Sequence, residues 1–433
     1  MGAKRQPPRS CVRWSDPLLN LAAAGGAYAL CRDRAWSAAE IALAVSAAVA
    51  LAMSAAEIAG APWRSAPRPA TPLRLALNRA AIKLTGAMAA LCAVLLAWIA
   101  LPEYGRTAYN PLFEALPIIL PLAPFAVAAC LLFTEWRLGP AEDSAWHLGL
   151  FATGKWEKID WAAARDGALG WLVRGFFLPL NFCALAIFIG RFRGAEAEVF
   201  SAPWPRAHAI LMLMISAALA AAIVPGYLFG ARLTGTHIRK VDYSWFGWTV
   251  TMSCYPPLVY AVFGQWLNFY PPDRGAPWNM PWAAALQPTP TLAFLLGGIA
   301  LAIEILHYWG EAVFGLRSSN LSHRGIITNG PYRFCKHPVY LVKCLGWFLW
   351  MPFLMGDTAL DCLRLTLLWA GVCGVYMMRA WVEEKLLSPD PDYAAYALWI
   401  DRHGLFSWLG ELVPALSFGW RQKRWLEAEA RGG

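Results

Sequence analysis

Runs of about 20 mostly apolar residues, separated by short polar segments, recur along this 433-residue chain. An α-helix needs a run of that length to cross the roughly 30 Å hydrocarbon core of a bilayer. Ten segments qualify: 17–31, 39–60, 80–101, 111–133, 171–190, 207–230, 244–269, 290–309, 338–356 and 362–382. Charged residues make up only 15% of the chain, against about 25% in soluble domains. The expected fold is therefore all-α and polytopic, with about ten transmembrane helices. An N-terminal bundle is expected over 1–243 and a C-terminal membrane unit over 244–433.

The seventh segment contains Pro256-Pro257, and proline removes a helix hydrogen bond and clashes with the preceding turn, so a kink or break is expected there. Between the fourth and fifth segments, 134–170 is polar and carries Trp146, Trp156 and Trp161. That composition predicts a cytoplasmic loop with a short interfacial helix. With the N-terminus in the cytoplasm, Arg64, Arg68, Arg74 and Arg79 fall on the inner side. So do Arg232, Arg239, Lys240, Arg317, Arg324, Arg333 and Lys336, and the tail Arg421, Lys423, Arg424 and Arg431. This distribution follows the positive-inside bias and predicts that both termini are cytoplasmic.

A net charge of +9 would suit a nucleic-acid partner, but the basic residues sit in short clusters between apolar runs. No basic stripe is interleaved with aromatics as in single-strand binders, and nucleic acid is not an expected partner. The ten cysteines form no CxxC pair, which argues for reduced, buried thiols and no metal site. No GxG tripeptide occurs, so a Rossmann phosphate turn is excluded.

The chemistry-bearing residues concentrate between Leu316 and Tyr396. The first part reads LRSSNLSHRGIITNGPYRFCKHPVYLVK and the second, after a short hairpin, RAWVEEKLLSPDPDYAAYALW. Gly330-Pro331 marks a turn, and Pro338 suits a first helical position. His337 then sits at a helix start, where unpaired N–H groups favour an anion close to Arg333 and Lys336. Glu383 and Glu384 end the last apolar run, where they oppose the helix dipole. They need a cation, part of which Arg379 can supply from one turn upstream. The tight hairpin returns both motifs to one face, an arrangement complementary to a zwitterion. Arg333 and Lys336 also suit anchoring to membrane lipid headgroups, and Tyr393 and Tyr396 suit packing of a post-membrane helix onto the core.

The pattern GPYRFCKHPVY followed by EEKLL and DYAAY resembles the isoprenylcysteine carboxyl methyltransferase and phospholipid methyltransferase superfamily. The resemblance covers only the C-terminal part. It implies a membrane enzyme that uses S-adenosylmethionine without a Rossmann domain and methylates a lipophilic or membrane-delivered acceptor. It further implies that Gly330, Pro331, Tyr332, His337, Pro338 and Tyr340 form the cofactor loop, with Glu383 and Glu384 near the methionine end. Arg333 and Lys336 complete the expected cofactor set, although Lys336 stands where the family has arginine and Val342-Lys343 where it has a small residue. A carboxylate acceptor needs no base, whereas an amine or thiol does; His323 and Glu384 are the candidates for that role. An NADPH-dependent reductase related to sterol reductases and a non-enzymatic transporter or scaffold are the alternative classes.

Overall fold

The computed structural model describes residues 7–65, 70–266, 290–350 and 358–432. Helices dominate them. The principal ones are α1 (Asp16–Cys31), α2 (Ala38–Ala59), α3 (Leu73–Ala100), α4 (Asn110–Ile119), α5 (Ala123–Leu138), α6 (Ser144–Ala152), α7 (Trp161–Arg193) and α8 (Trp204–Leu228). They continue as α9 (Trp245–Met252), α10 (Pro290–Ala312), α11 (Pro338–Trp350), α12 (Ala359–Leu387), α13 (Pro391–His403), α14 (Ser407–Leu412) and α15 (Phe418–Gly432). Two short strands, β1 (Lys240–Val241) and β2 (Ser322–His323), pair antiparallel with Lys240 opposite His323.

Six helices are long and apolar enough to cross a membrane: α2, α3, α7, α8, α10 and α12. A seventh span results if α4 and α5, which meet at 66°, count as one. Pro121 and Pro124 lie at that bend, and their missing N–H groups explain it. The chain is thus an all-α multi-pass membrane protein with six or seven such helices among the described residues. The other expected segments fall short of a full span there. α1 has 16 residues. The 244–269 segment is α9, ending at Met252, then a cis Pro256-Pro257 peptide and a π-helical turn at Tyr260–Trp266; its last residues lie outside the described ones. The 338–356 segment begins as α11 and likewise leaves the described residues. The 134–170 loop is more ordered than expected. α6 packs against α3 and α7, and α7 begins at Trp161, well before the predicted residue 171. Asp160 sets that start by accepting the Ala162 and Ala163 N–H groups, a helix N-cap.

A buried ion network ties α3 to α5. Lys83 lies 2.5 Å from Glu135 and 2.8 Å from Asp143, and Arg79 lies 2.9 Å from Glu135. Contacts also cross the 243/244 boundary. Besides the strand pair, Cys11 N donates to Ile326 O at 3.0 Å, Asn329 Nδ2 to Val12 O at 2.9 Å, and Arg317 pairs with Glu57. Gly226 of α8 lets the Ser318 carbonyl approach so closely that a Cβ would sit 2.2 Å from it. These contacts fix the loop from Arg317 to Asn329, which runs beneath the motif, against the N-terminal bundle.

Candidate functional site

Gly330 opens the motif with φ +58°, a conformation that glycine reaches at no steric cost, and Pro331 follows in a 3₁₀ turn through Arg333. Tyr332 turns into the core. Its ring lies edge-on to Phe314 at 5.3 Å, and its carbonyl accepts the Tyr396 hydroxyl at 2.7 Å. Tyr393 and Tyr396 are both buried, so they pack α13 onto the core as expected. The Leu341 N–H donates to the His337 carbonyl at 3.2 Å. His337 therefore caps α11, and Pro338 takes the first helical position.

α12 brings Glu383 and Glu384 to this cap. His337 Nε2 lies 3.2 Å from Glu384 Oε1, and Nδ1 lies 3.5 Å from Glu383 Oε2. The imidazole stacks on Tyr340 at 5.5 Å and 3°, and the Tyr340 hydroxyl donates to Glu383. Burial pulls the His337 pKa down, but the hydrogen bonds to Glu383 and Glu384 outweigh it and hold the ring above its ordinary 6.5. Two carboxylates facing two ring nitrogens suit the doubly protonated imidazolium.

The side chains expected to leave an anion site at this helix start are engaged by acids of the chain itself. Lys336 lies 2.8 Å from Asp401 and 3.5 Å from Glu384, and Arg421 of α15 also donates to Glu384. Arg333 is exposed. Arg379 was expected to neutralise Glu383, but among the described residues it forms no ion pair. Its guanidinium instead lies over the rings of Tyr340 at 4.8 Å, Tyr255 at 5.5 Å and Tyr376 at 5.9 Å. Nη2 donates to Asn320 Oδ1 at 2.8 Å, while the buried Nε has no hydrogen-bond partner among the described residues.

A cavity of about 270 Å³ lies against this cluster. Glu383, His337, Tyr340, Lys343 and Arg379 border it from the C-terminal helices; Asn181 and Tyr227 border it from the N-terminal bundle. A second cavity, about 310 Å³, lies on the other side of the motif between Trp381, Glu384, Asp401 and Arg421. Lys336 and His337 border both. Tyr332 also lines the first cavity. Gly330, Pro331, Arg333 and Pro338 line neither and act through the backbone path they set.

The two candidate bases are placed away from the first cavity. Glu384 borders only the second, with its side chain 3% exposed against 34% for Glu383. His323 borders neither. Its Nε2 lies 2.8 Å from Asp390, and the Gly325 N–H approaches Nδ1 at 3.4 Å. This network assigns the Nε2–H tautomer. Burial lowers the His323 pKa more than Asp390 raises it. Asp390 is itself the N-cap of α13, accepting the Asp392 and Tyr393 N–H groups, so His323 ties β2 to the start of that helix.

The sequence did not reveal Arg421, Asp390 or Asp401, whose partners are remote in the chain. Nor did it reveal Tyr227, whose hydroxyl accepts from Asn320 N at 3.0 Å and Nδ2 at 2.8 Å. The legible signal for the tyrosine enclosure was Arg379 itself, an ionisable residue near the end of an apolar run. Among the described residues no group of three or more His, Cys, Asp or Glu side chains is arranged to hold a metal ion. Comparison with family models, with curated proteins and with solved structures finds no match for the chain.

Proposed function

We propose that this chain is a membrane-embedded enzyme that transfers a methyl group from S-adenosylmethionine to an anionic group, a carboxylate by preference, on a lipophilic acceptor. One observation carries the reading. Two sequence motifs more than forty residues apart converge on a cavity that offers a partly exposed acid, Glu383, and a buried, incompletely bonded cation, Arg379. The fit to the two reactants rests on that pair, because the cofactor's methionine moiety brings an ammonium group that needs an anion and the acceptor brings an anionic group that needs donors. When bound, the cofactor supplies an already activated sulfonium methyl group.

The chain's own residues then bind, orient and exclude water. Glu383, held by Tyr340 and His337, takes the ammonium group. Arg379, oriented by Asn320, takes the acceptor's anionic group. Leu219, Ile223 and Leu386 give the cavity apolar walls, which suit a lipophilic acceptor and keep water from the reacting atoms. Neither His323 nor Glu384 borders this cavity, so neither is placed to deprotonate an amine or thiol. A carboxylate acceptor requires no such base. The same reading places both termini in the cytoplasm in a ten-span layout, with the shorter apolar helices contributing the remaining spans.

The test is a binding measurement on detergent-purified full-length protein with S-adenosylmethionine and NADPH side by side. Saturable binding of S-adenosylmethionine alone is expected. Binding of NADPH alone would favour a reductase, and binding of neither would overturn an enzyme of either kind. Reporter fusions after Gly433 and within 270–288 should report opposite sides of the membrane; the same side would sink the topology.

A further inference from the structure

The segment from Leu405 to Leu416, which joins α13 to α15, is apolar and outward-facing. Leu405, Phe406, Trp408, Leu412, Val413 and Leu416 are all exposed, Leu412 to 71%. Phe334 of the motif turn is exposed beside them, and its carbonyl accepts the Leu405 N–H at 2.8 Å. On a water-facing surface such a concentration of large apolar side chains marks an interaction site.

Its level relative to the membrane follows from α12. That helix has 29 residues, about 43 Å at 1.5 Å per residue, and exceeds the roughly 30 Å hydrocarbon core. Arg379, Glu383, Glu384 and Lys385 crowd its last turns, so its apolar stretch ends at Met378. Met377, Ala380 and Trp381 of α12 border the second cavity together with Phe406, Leu409 and Leu416. The 405–416 segment therefore lies beside α12 at the depth where that helix leaves the hydrocarbon. Exposed Arg402 and His403 precede it, and exposed Lys423 and Arg424 follow it, against the exposed acids Glu411 and Glu427. Apolar and Trp side chains at this level, flanked by cations, match the chemistry of the headgroup zone of a bilayer with anionic lipid.

We propose that residues 405–416, together with Phe334, insert into the interfacial zone of the bilayer on the side of the candidate site. The inserted surface is held in register with the site by three links: Phe334 to Leu405, Lys336 to Asp401, and Arg421 to Glu384. The proposal rests on the multi-pass membrane fold and not on the reaction.

The test uses the full chain in nanodiscs of phosphatidylcholine and phosphatidylglycerol, with Cys92, the exposed native cysteine, replaced by serine. Nitroxide labels are attached at Leu412→Cys and Trp408→Cys, with Glu427→Cys as a control on α15. The spectrum of the Cys92→Ser parent, labelled identically, is subtracted. Collision with oxygen, which concentrates in lipid, is compared with collision with a water-soluble nickel chelate. Insertion predicts that oxygen exceeds the chelate several-fold at 408 and 412 and that the order reverses at 427. Greater access to the chelate at 408 and 412 would overturn the proposal by placing the segment in water. Low access to both reagents would overturn it by showing that protein, such as a second copy of the chain, covers the segment. Either labelled variant alone suffices if the other does not fold.

Discussion

Glu383 and Glu384 are consecutive in α12, yet their carboxylates serve different compartments. Glu383 meets the Tyr340 hydroxyl at the first cavity, the one shared with the N-terminal bundle, whereas Glu384 is closed in by His337, Lys336 and Arg421. The pair therefore separates into a ligand-facing acid and an internal counter-ion. Glu383→Gln should weaken S-adenosylmethionine binding at least tenfold, about 1.4 kcal/mol, with little change in thermal stability in detergent. Glu384→Gln should lower stability, because it removes the carboxylate that Arg421, Lys336 and His337 share, a loss of about 3–5 kcal/mol. Binding isotherms and melting curves for both variants check this. The reverse pattern would exchange the two roles.

His337 gives a pH signature. Its folded-state pKa lies above the ordinary 6.5 because Glu383 and Glu384 accept its two N–H groups. A group of that kind stabilises the fold fully below its ordinary value, and the contribution is lost as pH rises through the raised folded value. The melting temperature of the parent should therefore fall relative to that of His337→Gln as pH is taken upward from 6.5. A difference between the two proteins that stays constant with pH would mean that the ring is neutral in the fold.

What the sequence revealed and what it hid divide along a physical line. Apolar run length announced α2, α3, α7, α8, α10 and α12, because the bilayer requirement is local. The convergence of Tyr340 with Glu383 was also legible, since the short connection from α11 to α12 leaves the two helices as neighbours. The partners of Glu384 were not. Arg421 lies 37 residues further on, and only the packing of Phe418 and Trp425 onto the core brings it back. The local i,i+4 rule failed for Arg379 and Glu383, because three tyrosine faces and Asn320 hold the guanidinium elsewhere. The 66° bend between α4 and α5 and the early start of α7 depend on prolines and a cap within segments whose apolarity alone gave no boundary.

A chain starting at Ser244 should fail to fold, although the family-like motifs lie downstream of it. Such a truncation removes β1, Glu57, Tyr227 and the tail that bonds Ile326 and Asn329. Arg317 would lose its carboxylate, and Asn320 the acceptor of two of its N–H groups. Size-exclusion chromatography of the truncated protein in detergent is expected to show aggregate. A monodisperse truncation that binds S-adenosylmethionine would show that the C-terminal part is autonomous. Tyr227→Phe offers a milder version. It removes the hydroxyl that Asn320 uses and should cost about 1–3 kcal/mol for the stranded donors.

Arg379 should govern the acceptor and not the methyl donor. Arg379 is 3% exposed; its guanidinium lies over three tyrosine rings and, among the described residues, keeps one N–H group unbonded. With no carboxylate partner among the described residues and one spare N–H group, this buried cation is poised for an anion that enters from the cavity. Arg379→Lys keeps the charge but loses the planar fork that matches a carboxylate. If the acceptor's anionic group binds here, Arg379→Lys should raise the KM for a lipophilic carboxylate acceptor at least tenfold while S-adenosylmethionine affinity stays near that of the parent. Arg379→Gln should lower kcat/KM further, since it removes the charge as well. Asn320→Ala, which frees the guanidinium without altering its charge, should give a smaller loss in the same direction. Equal loss of donor affinity in both Arg379 variants would instead place the cofactor's own carboxylate on Arg379 and leave the acceptor to the apolar walls and Lys343.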